Sequence, residues 1–240
     1  MTEPNENKQL RDPTRRGLYW RVWQVGSKIL CKVLFGLRVY EKHHVPDSGG
    51  VLFVSNHQSF ADPILVAVAL KRPVAFLARS GLFKNPIFAW HIRQLCAFPL
   101  QEGKSDIGAM KQTIELIRAG WALNIFPEGE RTPHGDLLPA KRGSALVMRK
   151  AKCTVIPLVI EGAFEAYPRT AKFPRFGKVG VLYGPPLKLD DVDTKDVPAL
   201  IDETFKTMLT DLRQRLGRDD ADDVKIVPPA DEPTPTEAVA

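Results

Sequence analysis

His57 and Asp62 lie on one short connection, within the run Val51-Leu-Phe-Val-Ser-Asn-His-Gln-Ser-Phe-Ala-Asp-Pro63. A neutral imidazole can take a proton from a hydroxyl. A carboxylate beside it can fix its tautomer and balance the charge it gains. The apolar residues before them read as a buried strand that stops at Ser55, so His57 falls just past a strand end. In open α/β sheets that edge is where ligands bind. Plainer roles also fit. An Asp before Pro caps a helix, and a loop histidine can serve as a structural hydrogen-bonding group. One short turn can hold both kinds of role at once.

A second constellation has the same shape: Leu123-Asn-Ile-Phe-Pro-Glu-Gly-Glu-Arg-Thr-Pro-His-Gly135. An apolar strand again runs into a polar turn, so Glu128, Glu130 and Arg131 should emerge at the edge that carries His57. Gly129 lets backbone approach a ligand closely. Arg131 suits bidentate recognition of a phosphate or carboxylate. An ordinary turn with an internal Glu–Arg pair is the competing reading. Downstream, Lys141 and Arg142 open a helix, where free N–H groups and two cations could cradle an anion. With five histidines and no third ligand near any of them, a zinc site is not expected, and no cofactor is implied.

The elements that must position these groups alternate along the chain. Strands are expected at residues 37–40, 50–55, 74–78, 97–100, 123–126, 154–160 and 178–183. Helices are expected at residues 63–71, 86–96, 105–119, 144–151 and 197–216. This alternation reads as an α/β fold, a single mixed, mostly parallel sheet flanked by helices.

Before the first strand, residues 15–37 read as an amphipathic helix. At 100° per residue Arg21, Lys28 and Lys32 share a narrow stripe, and Tyr19, Val22, Trp23, Ile29, Leu30, Val33, Leu34 and Leu37 spread over the rest. Packing in the core is one use for such a face. Lying in a membrane interface, with tryptophans near its start, is the other. Residues 1–14 and the acidic stretch 217–240 are expected to be disordered, leaving 38–216 as the main domain.

The net charge is +6. Residues 217–240 hold seven acids against Arg218 and Lys225, so the rest of the chain carries about +11 and should attract anions, including an anionic membrane surface. The cations are not interleaved with exposed aromatics in a nucleic-acid module, so no nucleic-acid partner is expected. Cys31, Cys96 and Cys153 have neither metal nor disulfide spacing and read as reduced core or membrane-facing residues. No signal-peptide layout and no run of about 18–20 apolar residues occurs, which points to the cytoplasmic face of the membrane and peripheral or monotopic attachment.

Asn56-His57-Gln-Ser-Phe-Ala-Asp62 resembles the first block of the glycerolipid acyltransferases of the 1-acyl-sn-glycerol-3-phosphate acyltransferase type. Ala78-Arg79-Ser80-Gly-Leu-Phe-Lys-Asn-Pro86 resembles their second region, Phe126-Pro-Glu-Gly-Glu-Arg131 their third block, and Val155-Ile-Pro-Leu-Val-Ile160 their fourth. Order and spacing agree from about residue 37 to residue 190. The resemblance implies acyl transfer from acyl-CoA or acyl carrier protein to the free hydroxyl of a lysolipid. His57 would be the general base and Asp62 its orienting carboxylate. Glu128, Gly129 and Arg131 would hold the acceptor's polar head, with Arg131 on its phosphate and Pro157 near the acyl chain. Arg79, Lys104 and Lys141 are the further cations assigned to substrate binding.

Two departures concern the acceptor. Glu130 stands where the third block has Thr or Ser, and Glu102 where the second region's following run has an Arg; Lys104 could restore that charge. Another lysophospholipid or an amine-containing lysolipid is therefore an alternative acceptor. A thioesterase or esterase using Ser55 or Ser59, and a non-catalytic membrane binder, are the alternatives of other classes.

Overall fold

Successive strand residues point to opposite faces, and the central strands here are apolar at nearly every position, so both faces of the sheet must be covered. The computed structural model describes residues 17–100, 106–219 and 221–228, excepting the side chains of Arg79, Asp106 and Ile107. Its seven strands are β1 (Arg38–Tyr40), β2 (Val51–Ser55), β3 (Val74–Arg79), β4 (Ala97–Leu100), β5 (Ala122–Ile125), β6 (Thr154–Glu161) and β7 (Gly180–Tyr183). They form one sheet in the order β1-β7-β6-β2-β5-β3-β4. Strands β2 to β6 pair in parallel, β7 is antiparallel to β6, and β1 is parallel to β7. The sheet is mixed and mostly parallel, as the alternation of elements implied.

All five residues of β2 are buried. Leu52 and Val54 pack with Leu123 and Val155 under α4 (Asp106–Arg118), α5 (Arg142–Ala151) and α7 (Val197–Leu216). Val51 and Phe53 pack with Ile156 and Leu158 under α1 (Leu18–Phe35), α2 (Asp62–Val68) and α6 (Ala163–Ala166). Each large apolar side chain so buried stabilises the fold by about 1.5–3 kcal/mol. The chain leaves β2 for one face, while the helices on either side of β5 take the other. β2 and β5 are neighbours, with Val54 opposite Ile125. Their C-terminal ends therefore flank the point where the connections diverge, and a crevice opens there.

Helix α3 (Pro86–Gln94) starts where the Asn85 side chain accepts the N–H groups of Ile87 and Phe88, with Pro86 as its first residue. Helices α2 and α3 end two to three residues earlier than the sequence pattern suggests. Two 3-10 turns, Lys42–His44 and Ser80–Phe83, and the single-turn α6 are additional, each too short to show helical periodicity.

Helix α1 occupies the core of the expected segment 15–37. Cys31 and Phe35 are buried against the sheet, and Val22, Val25, Ile29 and Val33 are exposed along one face. Burial pushes the Cys31 thiol up to about 11, consistent with an inert core residue. The start of the helix departs from a purely interfacial reading. The Tyr19 hydroxyl lies 2.6 Å from His91 Nδ1 on α3, and Trp20 and Trp23 line a partly open cavity. Residues 1–14 lie outside the described residues.

The stretch after Gly217 corrects an expectation. Read as part of a disordered acidic extension, residues 217–219 and 221–228 instead pack on the body. Ala221 and Val224 are buried, and the main chain at Lys225 and Val227 bonds Leu137 on both sides. Arg218 pairs with Glu161 at 2.6 Å and Glu165 at 2.8 Å. Apolar side chains spaced among the acids supply the core contact. Residues 229–240 lie outside the described residues.

Candidate active site

The Asn56 side chain ends β2. Its amide donates to the Ile160 carbonyl at 2.9 Å and accepts the Ile160 N–H at 2.8 Å. The side chain substitutes for a ladder pair with β6 and releases the main chain at His57. The His57 ring stacks on Phe126, with centroids 3.7 Å apart and 13° between planes, so the residue after β5 fixes the plane of the ring two residues past β2. His57 Nδ1 is 2.7 Å from Asp62 Oδ2. The other ring nitrogen, Nε2, is left for the cavity that His57 lines.

Asp62 is completely buried and is not the helix cap its place before Pro63 suggested. Its Oδ2 turns back to accept the N–H groups of Gln58 at 2.6 Å and Ser59 at 2.7 Å as well as His57. The carboxylate is therefore spent on the loop and the imidazole, while α2 begins with no side-chain cap. Burial pushes the Asp62 carboxyl above the ordinary carboxylate range. The hydrogen bond and charge of His57 and the two backbone N–H groups oppose that shift.

Glu128 reaches the same edge but faces inward. Only 2% exposed, it accepts the His57 N–H on Oε1 at 3.0 Å and the Leu138 N–H on Oε2 at 3.4 Å. A carboxylate committed to two backbone donors braces the site, so the structure does not place Glu128 against a bound acceptor as the sequence reading did. Burial holds it well above the usual carboxylate range, with the two N–H groups opposing. Thr132 N–H donates to the His57 carbonyl at 2.9 Å, and Gln58 Nε2 to the Gly135 carbonyl at 3.3 Å. The two motifs are thus stitched together along their backbones.

Arg131 lies with its guanidinium 3.6 Å over the Phe60 ring, three residues beyond His57. Gly129 has φ of +77°, a region costly for other residues, and a side chain there would press on the Lys141 methylenes at 3.3 Å. Gly129 and Lys141 line the cavity, with the Lys141 ammonium 4.0 Å from Glu130. Arg79 closes β3 opposite Leu100; its side chain, and all of Lys104, lie outside the described residues. Pro157 is not near the cavity. It faces Gly184 and Met208 on the α7 side, because its register opposite Val54 points it to that layer.

The cavity itself has a volume of about 1430 Å³ and is mostly apolar. It runs from His57 and Phe60 past Phe126 between α1, α3, α4 and α5, and is large enough for more than one alkyl chain. Ser55 and Ser59, the alternative nucleophiles, are buried. Ser55 pairs with Asn124 at 3.2 Å, and Ser59 Oγ donates to the Tyr167 carbonyl at 2.6 Å. Neither is bonded to the His57 ring. Among the described residues no cluster of His, Cys, Asp and Glu could hold a metal ion. Asn56 and Phe60 lie within the first block and Phe126 opens the third, but the sequence reading gave none of them a role; here Asn56 ends β2, Phe126 stacks on His57 and Phe60 lies under Arg131.

A model of the acyltransferase family matches residues 36–161. The chain is 25% identical over 195 residues to the 1-acyl-sn-glycerol-3-phosphate acyltransferase of Bacillus subtilis, covering 80% of this chain and 95% of that protein. It is 28% identical over 162 residues to the chloroplastic enzyme of that name from Arabidopsis thaliana, covering 66% and 45%. It thus spans nearly all of the bacterial relative but less than half of the plant one. The crystal structure of the 1-acyl-sn-glycerophosphate acyltransferase PlsC from Thermotoga maritima superposes with a TM-score of 0.69 at 25% identity, covering 80% of this chain and 79% of that chain.

Proposed function

The chain belongs to the acyltransferase family, and from that premise we propose that it moves a fatty acyl group from a thioester, acyl-CoA or acyl carrier protein, to the free hydroxyl of 1-acyl-sn-glycerol-3-phosphate, giving phosphatidic acid. The observation that carries the reading is the 2.7 Å bond between His57 Nδ1 and buried Asp62, which leaves Nε2 to the apolar cavity.

In this mechanism Nε2 takes the acceptor's hydroxyl proton as the oxygen attacks the thioester carbonyl. The C–O bond forms, the C–S bond breaks, and the departing thiolate takes the proton back from the imidazolium. Asp62 stabilises that imidazolium; no acyl-enzyme forms. Arg131, held flat over Phe60, and Lys141 supply positive charge for the acceptor's phosphate. Gly129 leaves room for it, and Glu128 holds the His57 backbone in place. The large apolar cavity takes the acyl chains.

The exposed apolar face of α1 and the positive body support attachment to an anionic membrane surface. No helix among the described residues is long and apolar enough to cross a membrane. Peripheral attachment on the cytoplasmic side is the arrangement we propose.

The test is thiol release from acyl-CoA with a panel of lysolipid acceptors. His57→Ala should abolish release while vesicle binding persists; unchanged turnover would sink the mechanism. A panel led by an amine-bearing lysolipid would move the acceptor assignment toward Glu130.

A further inference from the structure

Between α6 and β7 the chain runs through residues 168–178, Pro-Arg-Thr-Ala-Lys-Phe-Pro-Arg-Phe-Gly-Lys. Arg169, Lys172, Arg175 and Lys178 lie here with no acid among them. Every residue from 172 to 176 is exposed, and Phe173 and Phe176 are 70% and 80% exposed. None of the four cations makes an ion pair among the described residues. A connection that only bridges two elements gains nothing from two phenylalanines in water, and grouped exposed apolar residues mark contact surfaces.

The loop is fastened rather than slack. Ala171 N–H donates to the Pro168 carbonyl at 3.1 Å, and Arg175 N–H to the Ala166 carbonyl at 2.7 Å. Gly177 N–H donates to the Leu34 carbonyl in the last turn of α1 at 3.2 Å. At its other end is Tyr167, which accepts Ser59 Oγ and sets its ring 5.8 Å from that of Phe60. The segment therefore spans from the His57 loop to the C-terminal end of α1, where Val33 is 67% exposed.

We propose that residues 168–178 form a second lipid-binding element, inserting Phe173 and Phe176 into the acyl boundary of an anionic bilayer while Arg169, Lys172, Arg175 and Lys178 meet headgroup phosphates. Aromatic rings flanked by cations suit that boundary. An acidic protein surface would answer the charges. The two projecting rings, and the main-chain bond that ties the loop to the end of α1, favour lipid instead. The inference extends the membrane attachment proposed above, but it is read out by binding alone, so it can fail while the acyltransferase assignment stands.

The experiment is sedimentation of the full chain with vesicles of phosphatidylcholine, with and without phosphatidylglycerol. Phe173→Ser with Phe176→Ser, and separately Lys172→Glu with Arg175→Glu, should each lower partition onto anionic vesicles by about tenfold or more. The charge pair should have little effect on neutral vesicles. Turnover of a short-chain, monomeric acceptor should be unchanged in both double variants, which also shows that they fold. The emission of Phe176→Trp after subtraction of the wild type, whose four tryptophans are common to both, should blue-shift on vesicle binding and be quenched by brominated lipid. Wild-type partition in both double variants, or an indole that stays in water, would overturn the proposal. So would charge reversal that spares vesicle binding and instead impairs turnover of an acyl carrier protein thioester, since the surface would then be a protein dock.

Discussion

Glu128 Oε1 accepts the main-chain N–H of His57 at 3.0 Å, so the carboxylate of one motif holds the base of the other from behind. Removing it should loosen His57 and leave two inward-facing N–H groups without partners. Glu128→Ala is expected to cost about 1–3 kcal/mol of stability and to lower kcat with a smaller change in KM. Urea unfolding and steady-state kinetics check both parts.

The same carboxyl gives a pH signature. Burial raises its folded pKa, so the folded chain keeps a proton that the unfolded chain gives up. Its contribution is complete below the unfolded value of about 4.3 and is lost as pH rises through the raised folded value. Glu128→Gln abolishes this titration. The stability of wild type relative to the variant should therefore be smaller at pH 8 than at pH 5, and an unchanged difference would count against the assignment.

Asp62→Asn separates charge from geometry. Oδ2 makes all three bonds to His57, Gln58 and Ser59, while Oδ1 has no hydrogen-bond partner among the described residues. An amide oxygen in the Oδ2 place can keep every bond yet cannot balance an imidazolium. Thermal stability should stay within a few degrees of wild type, while kcat falls by about 10²-fold or more. Retained kcat would mean that orientation alone is what Asp62 supplies.

Ending the chain at Gly217 should destabilise it. Glu161, 2% exposed, would keep Arg213 at 3.2 Å but lose Arg218. The contacts of Ala221 and Val224 and the pairing with Leu137 would go as well. A loss of about 2–5 kcal/mol is expected from a half-stripped buried ion pair and the exposed apolar surface. Chemical denaturation of the two lengths measures it.

Much of the architecture was readable because strand and helix periods are local. The runs around Val51 and Val155 announce buried strands without any partner in view. Strand order was not readable, since nothing in β2 says that β5 will slide between it and β3. The pair His57–Asp62 was legible as acid–base chemistry, but the direction of a carboxylate is not written in its motif. Glu128 and Arg131 look alike as polar turn residues; only the fold shows one turned toward backbone and the other laid on Phe60. The strap at residues 221–228 was hidden by counting charges, because Ala221, Val224 and Ile226 carry the packing while the acids carry the composition.

Helix α1 has Trp20 and Trp23 at the cavity and Val22, Val25, Ile29 and Val33 outside. On the membrane reading proposed above, a wall about 10 Å thick is all that separates two oily compartments. A lysolipid would then travel sideways from the leaflet and never cross bulk water. Rates should follow its mole fraction in the bilayer rather than its concentration in the tube, and diluting the surface with inert lipid should slow the enzyme even when total substrate is unchanged.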